Sequence, residues 1–329
     1  MQTQSIPENQ LISICIPTRN RPAVLEMSLR ALIEVVREPS IGIYLSDNSS
    51  DDETRVVVAA LASEYPYLHY SRCPEYLEAD ENFERALKLS TTKYRWLFGD
   101  HYKIVDEKAL KQVLELLEED FDLIVLNSNK RIRNLVSGVY TDKDATLSTL
   151  GWHMTMMTAL VYNSEFLAKL NFPRFKGTFL SQTLTIFERL AESRFSLYWV
   201  QDVVIGSFHF DPSTSWHPRA LQIFVRDWFH GVMSLPPTYT FESKKLAIMS
   251  HASNVSLFSL KGMIYLRGLG AINLKSVKAY IKELPYVFRA DRLLYLLLSL
   301  LVPVFIARFV QTIYFKLNPE KAGHLPKAS

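Results

Sequence analysis

The chain has 329 residues, 48% of them hydrophobic and 22% charged, with a formal net charge of +3. This is the composition of a folded protein long enough for one large α/β domain and an appendage, and it excludes extended disorder beyond two loose tails, residues 1–10 and 318–329. Only two cysteines occur, Cys15 and Cys73, which excludes a disulfide framework and fits a reducing compartment.

Residues 11–17 are a near-continuous apolar run of strand length, of the kind found in parallel strands buried on both faces. Asn20 stands where it can cap a helix that has Pro22 in its first turn and Val24, Leu25, Leu29, Leu32, Ile33 and Val36 on one face. A second strand over 41–45 ends in the polar turn cluster Ser46-Asp47-Asn48-Ser49-Ser50-Asp51-Asp52, and a helix over 54–65 follows. Further strands are expected at 68–71, 94–98 and 122–127, and helices at 82–89 and 106–119. The alternation argues for an open parallel sheet with helices on both faces, whose ligands bind beyond the carboxyl ends of the strands. After Asn127 the periodicity blurs, with helical pieces at 141–150 and 181–191 and strand-like pieces at 158–162 and 197–206. From about Tyr239 the pattern is helical throughout.

Charge is split along the chain. Residues 240–329 carry 13 basic and 4 acidic side chains, a balance of +9, leaving 24 against 30, or −6, for the rest. In this tail Lys261, Arg267, Lys275, Lys278 and Lys282 are interleaved with Met263, Ile264, Leu266, Leu269, Ile272, Val277, Tyr280 and Ile281 and not with a polar recognition helix. That favours an anionic membrane surface over nucleic acid as partner, with ordinary core packing of the same helices as the alternative. The uncharged run 293–307 contains Pro303 and is shorter than the ~20 residues a membrane span needs. Residues 1–10 are polar and lack the apolar stretch of a secretory signal, so the chain is expected in the cytoplasm, peripheral on the inner face of the membrane.

Four segments carry a family resemblance: Ile14-Cys15-Ile16-Pro17-Thr18-Arg19-Asn20-Arg21-Pro22, Ser46-Asp47-Asn48-Ser49-Ser50-Asp51, Asn82-Phe83-Glu84-Arg85-Ala86 and Trp96-Leu97-Phe98-Gly99-Asp100. In order and spacing they resemble the GT-A glycosyltransferases of family 2, most of all the O-antigen and capsule sugar transferases of the abequosyltransferase-like subgroup. The resemblance covers roughly the first 125 residues. It implies a GT-A fold, a Rossmann-like and mainly parallel α/β sheet, to which this chain adds C-terminal helices that associate with a membrane. The expected divisions are a tail over 1–10, a nucleotide-sugar-binding half over 11–127, an acceptor-side half over 128–239, and the basic helices of 240–329. The implied reaction moves a sugar from a nucleotide diphosphate sugar to a lipid-linked saccharide in surface polysaccharide synthesis. The alternative is a catalytically degenerate GT-A domain that binds a nucleotide or serves as an assembly subunit.

The resemblance places Pro17, Thr18, Arg19, Asn20, Asp47, Asn82 and Asp100 in the nucleotide site. The residues themselves allow simpler readings: Asn20 or Asn82 as a helix cap, Asp47 as the stabiliser of a turn. A sugar diphosphate usually needs a divalent cation, Mn²⁺ or Mg²⁺, held by hard oxygen ligands. Here the acidic motif of the relatives is reduced to Asp100, with His101 and Tyr102 where further carboxylates are expected. Asp100 and His101 are therefore the candidate metal ligands of an altered or weakened site, and basic residues with Tyr102 are the alternative means of neutralising charge. No acid stands where inverting relatives place their base, in Phe179-Leu180-Ser181-Gln182-Thr183. Nearby stand Glu188, expected as a surface charge, Asp202, expected to end a turn, Asp211, and the histidines His153 and His209; the candidates for catalysis or phosphate contact are Asp211 and His209, and an Asp that opens a turn before Pro212 is the simpler reading of the first.

Overall fold

A computed structural model of the chain describes residues 7–208 and 216–317. They divide into two compact units, one built from 7–141 and 154–208, the other from 142–153 and 216–317.

The first unit is organised by a single nine-stranded sheet. Strand β1 (Ile12–Thr18) is buried along its whole length and lies parallel to β2 (Gly42–Asp47) on one side and to β4 (Tyr94–Leu97) on the other, with β3 (Leu68–Arg72) parallel beyond β2. Two further strands are β5 (Tyr102–Ile104) and β6 (Leu123–Ser128). They are followed by β7 (Gly138–Tyr140), β8 (Leu160–Asn163) and β9 (Leu197–Ser207). The order across the sheet is β3-β2-β1-β4-β8-β6-β9-β5, with β7 also on β9.

The sheet is therefore mainly but not wholly parallel. Strand β8 runs antiparallel between β4 and β6, and β5 and β7 both pair antiparallel with β9. Nothing in an apolar run records its direction, and β5 and β7 are three-residue strands too short to show a period, so both features escape a sequence reading. The register of β9 against β6 also shifts at Asn127, and Asp202 sits in that irregular stretch of strand and not at the end of a turn.

Helix α1 (Pro22–Val36) buries Leu25, Leu29, Leu32, Ile33 and Val36, one stripe at helical spacing. It packs with α2 (Glu53–Ala62) and α4 (Glu107–Leu116), whereas α3 (Ala79–Lys88) packs on β1, β2 and β4 and against α7 (Ser181–Leu190). Short helix α6 (Ser164–Leu167) follows β8. Trp96, Phe98, Ile14, Ile16 and Leu126 are fully buried in the shared core.

The second unit is helical. Helix α5 (Lys143–Met154) belongs mostly to it, and Asp144 accepts bonds from the Thr240 amide at 2.8 Å, the Thr240 hydroxyl at 2.9 Å and the Ser243 hydroxyl. Those residues open α9 (Phe241–Asn254), whose carbonyl at Ala247 receives the indole of Trp228 in α8 (Trp228–Met233). Next come α10 (Leu260–Gly268), α11 (Leu274–Ala279) and α12 (Leu284–Val287). The described chain ends in α13 (Ala290–Leu301) and α14 (Val304–Leu317), both packed on α10. Met263, Leu266 and Ile272 are fully buried, whereas Leu274 and Ile281 are exposed by 76% and 59%, so the aliphatic residues between the basic positions of this stretch are divided between core and surface.

Candidate functional site

Because β1, β2 and β4 are parallel neighbours, their carboxyl ends lie side by side, and the polar residues that follow each strand converge there. Thr18 and Asp47 are register partners at the last pair of β1 and β2, and the Asn48 amide donates to the Thr18 carbonyl at 3.0 Å. Pro17 is buried one pair earlier, opposite Ser46. Beyond β4, the Gly99 amide donates to the Thr158 hydroxyl at 2.9 Å, and a side chain on Gly99 would strike the ring of Tyr102. Glycine here lets the chain turn closely enough to place Asp100 beside the end of β1.

The carboxyl of Asp100, 1% exposed, is the centre of the cluster. One oxygen accepts from the Thr18 hydroxyl at 2.9 Å; the other meets the Arg21 guanidinium at 2.9 Å and His101 Nδ1 at 3.4 Å. Burial pushes this carboxyl up, but the Arg21 charge, with His101 and Thr18, outweighs it and holds it below its ordinary value. Burial likewise lowers the His101 imidazole, opposed by Asp100 and reinforced by Arg21, so the guanidinium is the cation of the pair at neutral pH. Tyr102 is raised by burial, with the nearby Arg131 charge acting against that.

Asp47 is fully buried, its two oxygens taking the Ser49 amide at 2.9 Å and the Tyr70 hydroxyl at 2.7 Å. Burial, and then this bond to Asp47, push the Tyr70 phenol up to about 12, so it remains a donor across the physiological range. Asn20 does not cap α1: Arg21 occupies the cap position without a side-chain bond, and Asn20, at φ 52°, accepts from the Ser50 amide at 2.9 Å. Its own amide donates to Ser49 Oγ at 2.8 Å, so Asn20 ties the β1 loop to the β2 loop. Nor does Asn82 cap a helix, since α3 begins at Ala79 and the Glu81 carboxylate takes the Glu78 amide at 3.0 Å. Asn82 instead accepts from the Ser46 hydroxyl at 2.5 Å and donates to the Ser46 carbonyl at 3.2 Å and the Thr18 carbonyl at 3.4 Å, holding β1 and β2 together from below their ends. Arg19 is exposed, its guanidinium 4.5 Å from the ring centre of Tyr76.

Two positioning residues receive no role from the sequence, although the first stands inside the third family segment. Arg85 spreads its guanidinium over Ser46 Oγ at 2.6 Å, Ser71 Oγ at 2.6 Å and the Arg72 carbonyl at 3.0 Å, stitching the ends of β2 and β3. Asp80, 3% exposed, accepts the amides of Gly177, Phe179 and Ser181, where the loop passes through positive φ at Gly177 and Phe179 before α7. Helical spacing on α3 gives Asp80 no signal, because its partners lie about a hundred residues further on. Glu188 is buried against Arg174 at 2.7 Å and is not a surface charge. His209 and Asp211 lie outside the described residues.

A divalent centre is a poor fit to the described residues. Both oxygens of Asp100 are engaged, His101 already faces the same carboxyl, and among the described residues no group of three or more His, Cys, Asp or Glu side chains could hold a metal ion. Among the described residues, the arginine lying directly on Asp100 is Arg21.

A family model described as glycosyl transferase family 2 matches residues 13–189, more than half of the chain. The chain belongs to glycosyl transferase family 2. Over 114 residues this family 2 chain is 32% identical to abequosyltransferase RfbV of Salmonella typhimurium; the match takes in 34% of the chain and 33% of that protein, so the chain spans about a third of the length of this curated relative. Its fold is shared by TarS 1–349 of S. aureus, solved in complex with UDP-GlcNAc, with a TM-score of 0.52 at 11% identity over 82% of this chain and 81% of that one. It is shared as well by the mannosyltransferase PcManGT of Pyrobaculum calidifontis, solved with GDP-Man and Mn²⁺, with a TM-score of 0.52 at 16% identity over 96% and 83%. At such identities the structural likeness speaks for the GT-A fold alone.

Proposed function

We propose that this family 2 chain transfers a glycosyl unit from a nucleoside diphosphate sugar to a lipid-linked saccharide in the assembly of a surface polysaccharide, working on the cytoplasmic face of a membrane. The observation that carries the reading is the convergence of Thr18, Asn20, Asp47 and Asp100 past three adjacent parallel strands, the place where open sheets of this kind bind ligands. The sugar polymer is inferred from the abequosyltransferase relative, and the nucleotide from the donors bound by the two structural neighbours.

In this reading Thr18, Arg19, Asn20 and Asp47 form the nucleoside end of the site, with Asn82 fixing its floor. Transfer leaves a nucleoside diphosphate, whose negative charge must be neutralised. Arg21 is the group placed to do so, because its guanidinium lies beside the buried carboxyl and remains 20% exposed. A divalent ion can use Asp100 only by displacing Arg21, so metal response is expected to be weak until that residue is removed. Asp211 and His209 stay the candidates for taking the acceptor proton.

The reduced acidic motif also favours a second reading, a nucleotide-binding subunit without turnover. Both readings are tested by incubating the full chain with UDP-, GDP-, CDP- and dTDP-sugars and extracted lipid-linked saccharides. Acceptor-dependent release of nucleoside diphosphate supports transfer. Nucleotide binding with no release under any pairing supports the subunit.

A further inference from the structure

In the last two helices of the second unit the ordinary relation of side chain to solvent is inverted. On α13 the buried residues are Leu296 and Ser299, facing α10, while Leu294, Leu297, Leu298 and Leu301 fall on the opposite side of the helix and are exposed, Leu301 by 78%. Helix α14 repeats the pattern: Ala307 is buried, and Phe305 and Phe309 are exposed by 73% and 64%. The two helices meet at Pro303 with a bend of 101°. Soluble monomers rarely expose apolar strips of this extent without a partner.

We propose that this elbow is the element by which the chain lies on an anionic bilayer. The inference rests on the reading of a lipid-linked acceptor and narrows it to one surface. Both helices pack on α10 and expose the apolar strip opposite their buried residues, so the two strips face away from a common support, an arrangement suited to a laterally continuous apolar phase. At 12 and 14 residues the helices are each short of the ~20 needed to span, and among the described residues no single helix is long and apolar enough to cross a membrane. Lying in the interface requires neither length nor straightness.

Charge selects lipid over a second copy of the chain. Residues 274–317 hold seven basic and two acidic side chains, and Lys275, Lys278, Lys282 and Arg289 are exposed. Two copies apposed here would bring these like charges together, whereas anionic headgroups neutralise them. The basic residues of the stretch are not equivalent. Arg267 donates to the carbonyls of Val302 at 3.1 Å and Ile272 at 3.0 Å, and the exposed Arg308 to that of Gly268 at 3.1 Å, so both tie the elbow to α10.

The test is flotation of the full chain with vesicles of phosphatidylcholine containing about a third phosphatidylglycerol, compared with phosphatidylcholine alone. Wild type is expected to float with the anionic vesicles. Leu297→Glu/Phe305→Glu should lower the vesicle-bound fraction at least tenfold while leaving the circular dichroism spectrum and nucleotide affinity unchanged. Leu301→Ser, which adds no charge, should act in the same direction by a smaller factor. Flotation of the double variant at wild-type level would overturn the assignment to the elbow, as would a wild type that ignores vesicles and instead forms a dimer the variant abolishes. Loss of nucleotide binding by wild type would strike the glycosyltransferase reading and leave the flotation result standing.

Discussion

The strand-end cluster of the first unit and the elbow of the second depart from ordinary burial in opposite directions. At Asp100 a carboxylate that water would solvate is shut away at 1% exposure, while nine large apolar side chains among those described on α13 and α14 stand in solvent. The cost of the first is offset within the chain, by Arg21 and Thr18 at hydrogen-bond distance. The cost of the second is not offset by the described residues, because the neighbours of these helices among them lie on the other face. The contrast separates a buried charge balanced by its neighbours in the chain from an apolar surface that no described residue covers.

The sharpest way to break the first half of that comparison is to remove its centre. Asp100→Ala is expected to lower donor turnover by at least 100-fold, about 3 kcal/mol of transition-state stabilisation, in a direct assay of nucleoside diphosphate release. Turnover within threefold of wild type would show that the buried carboxyl is only structural. Arg21→Ala leaves that carboxyl without its paired guanidinium and should cost about 3 kcal/mol in urea unfolding, toward the lower end of the range for broken buried pairs because Arg21 is partly exposed. The same variant should respond to Mn²⁺ more strongly than wild type, since one oxygen of the carboxyl is then open to a cation.

The second half is sharpened by asking which basic residues hold the fold and which face outward. Arg267→Ala strands the carbonyls of Val302 and Ile272 and should destabilise the chain by about 1–3 kcal/mol, whereas Lys278→Ala, at an exposed position, should stay within about 0.5 kcal/mol of wild type. Equal effects would dissolve the distinction between inner and outer cations.

The smallest effect concerns pH. Burial raises the Asp144 carboxyl, but the bonds from Ser243, Lys143 and Thr240 outweigh it and hold the carboxyl well below the ordinary carboxylate range. A depressed folded value means that its stabilisation is full above the unfolded value of about 3.9 and is lost as pH falls through the folded one. Asp144→Asn should therefore be less stable than wild type at pH 7, with the difference closing below about pH 4. A gap that persists unchanged to pH 2 would contradict this role.

How much of this was legible in the sequence follows from the reach of each interaction. The strand at 11–17, the stripe on α1 and the polar cluster after β2 are local patterns, and they led to the right elements; Thr18, Asp47 and Asp100 are singled out by the family resemblance, and the fold brings them to neighbouring strand ends. The antiparallel course of β8, the Arg21–Asp100 pair and the grip of Asp80 on residues 177–181 depend on partners tens to a hundred residues away, and no window along the chain contains both members. In the tail, the +9 balance was visible but its division was not. The alternation of Lys261 and Arg267 with Met263 and Leu266 resembles a membrane helix, yet those two aliphatic residues are core, and the exposed apolar strip lies further on, where charges are sparse.

The central claim is that the loops after β1 and β2 form a nucleotide site, and calorimetric titration of the full chain with UDP, GDP, CDP and dTDP, in chelator and again in Mn²⁺, tests it most directly. The account predicts that one of the four binds in both conditions and that Asp47→Ala weakens it at least tenfold in a chain whose circular dichroism is unchanged. Absence of binding by all four to wild type, or equal affinity in wild type and Asp47→Ala, would contradict it.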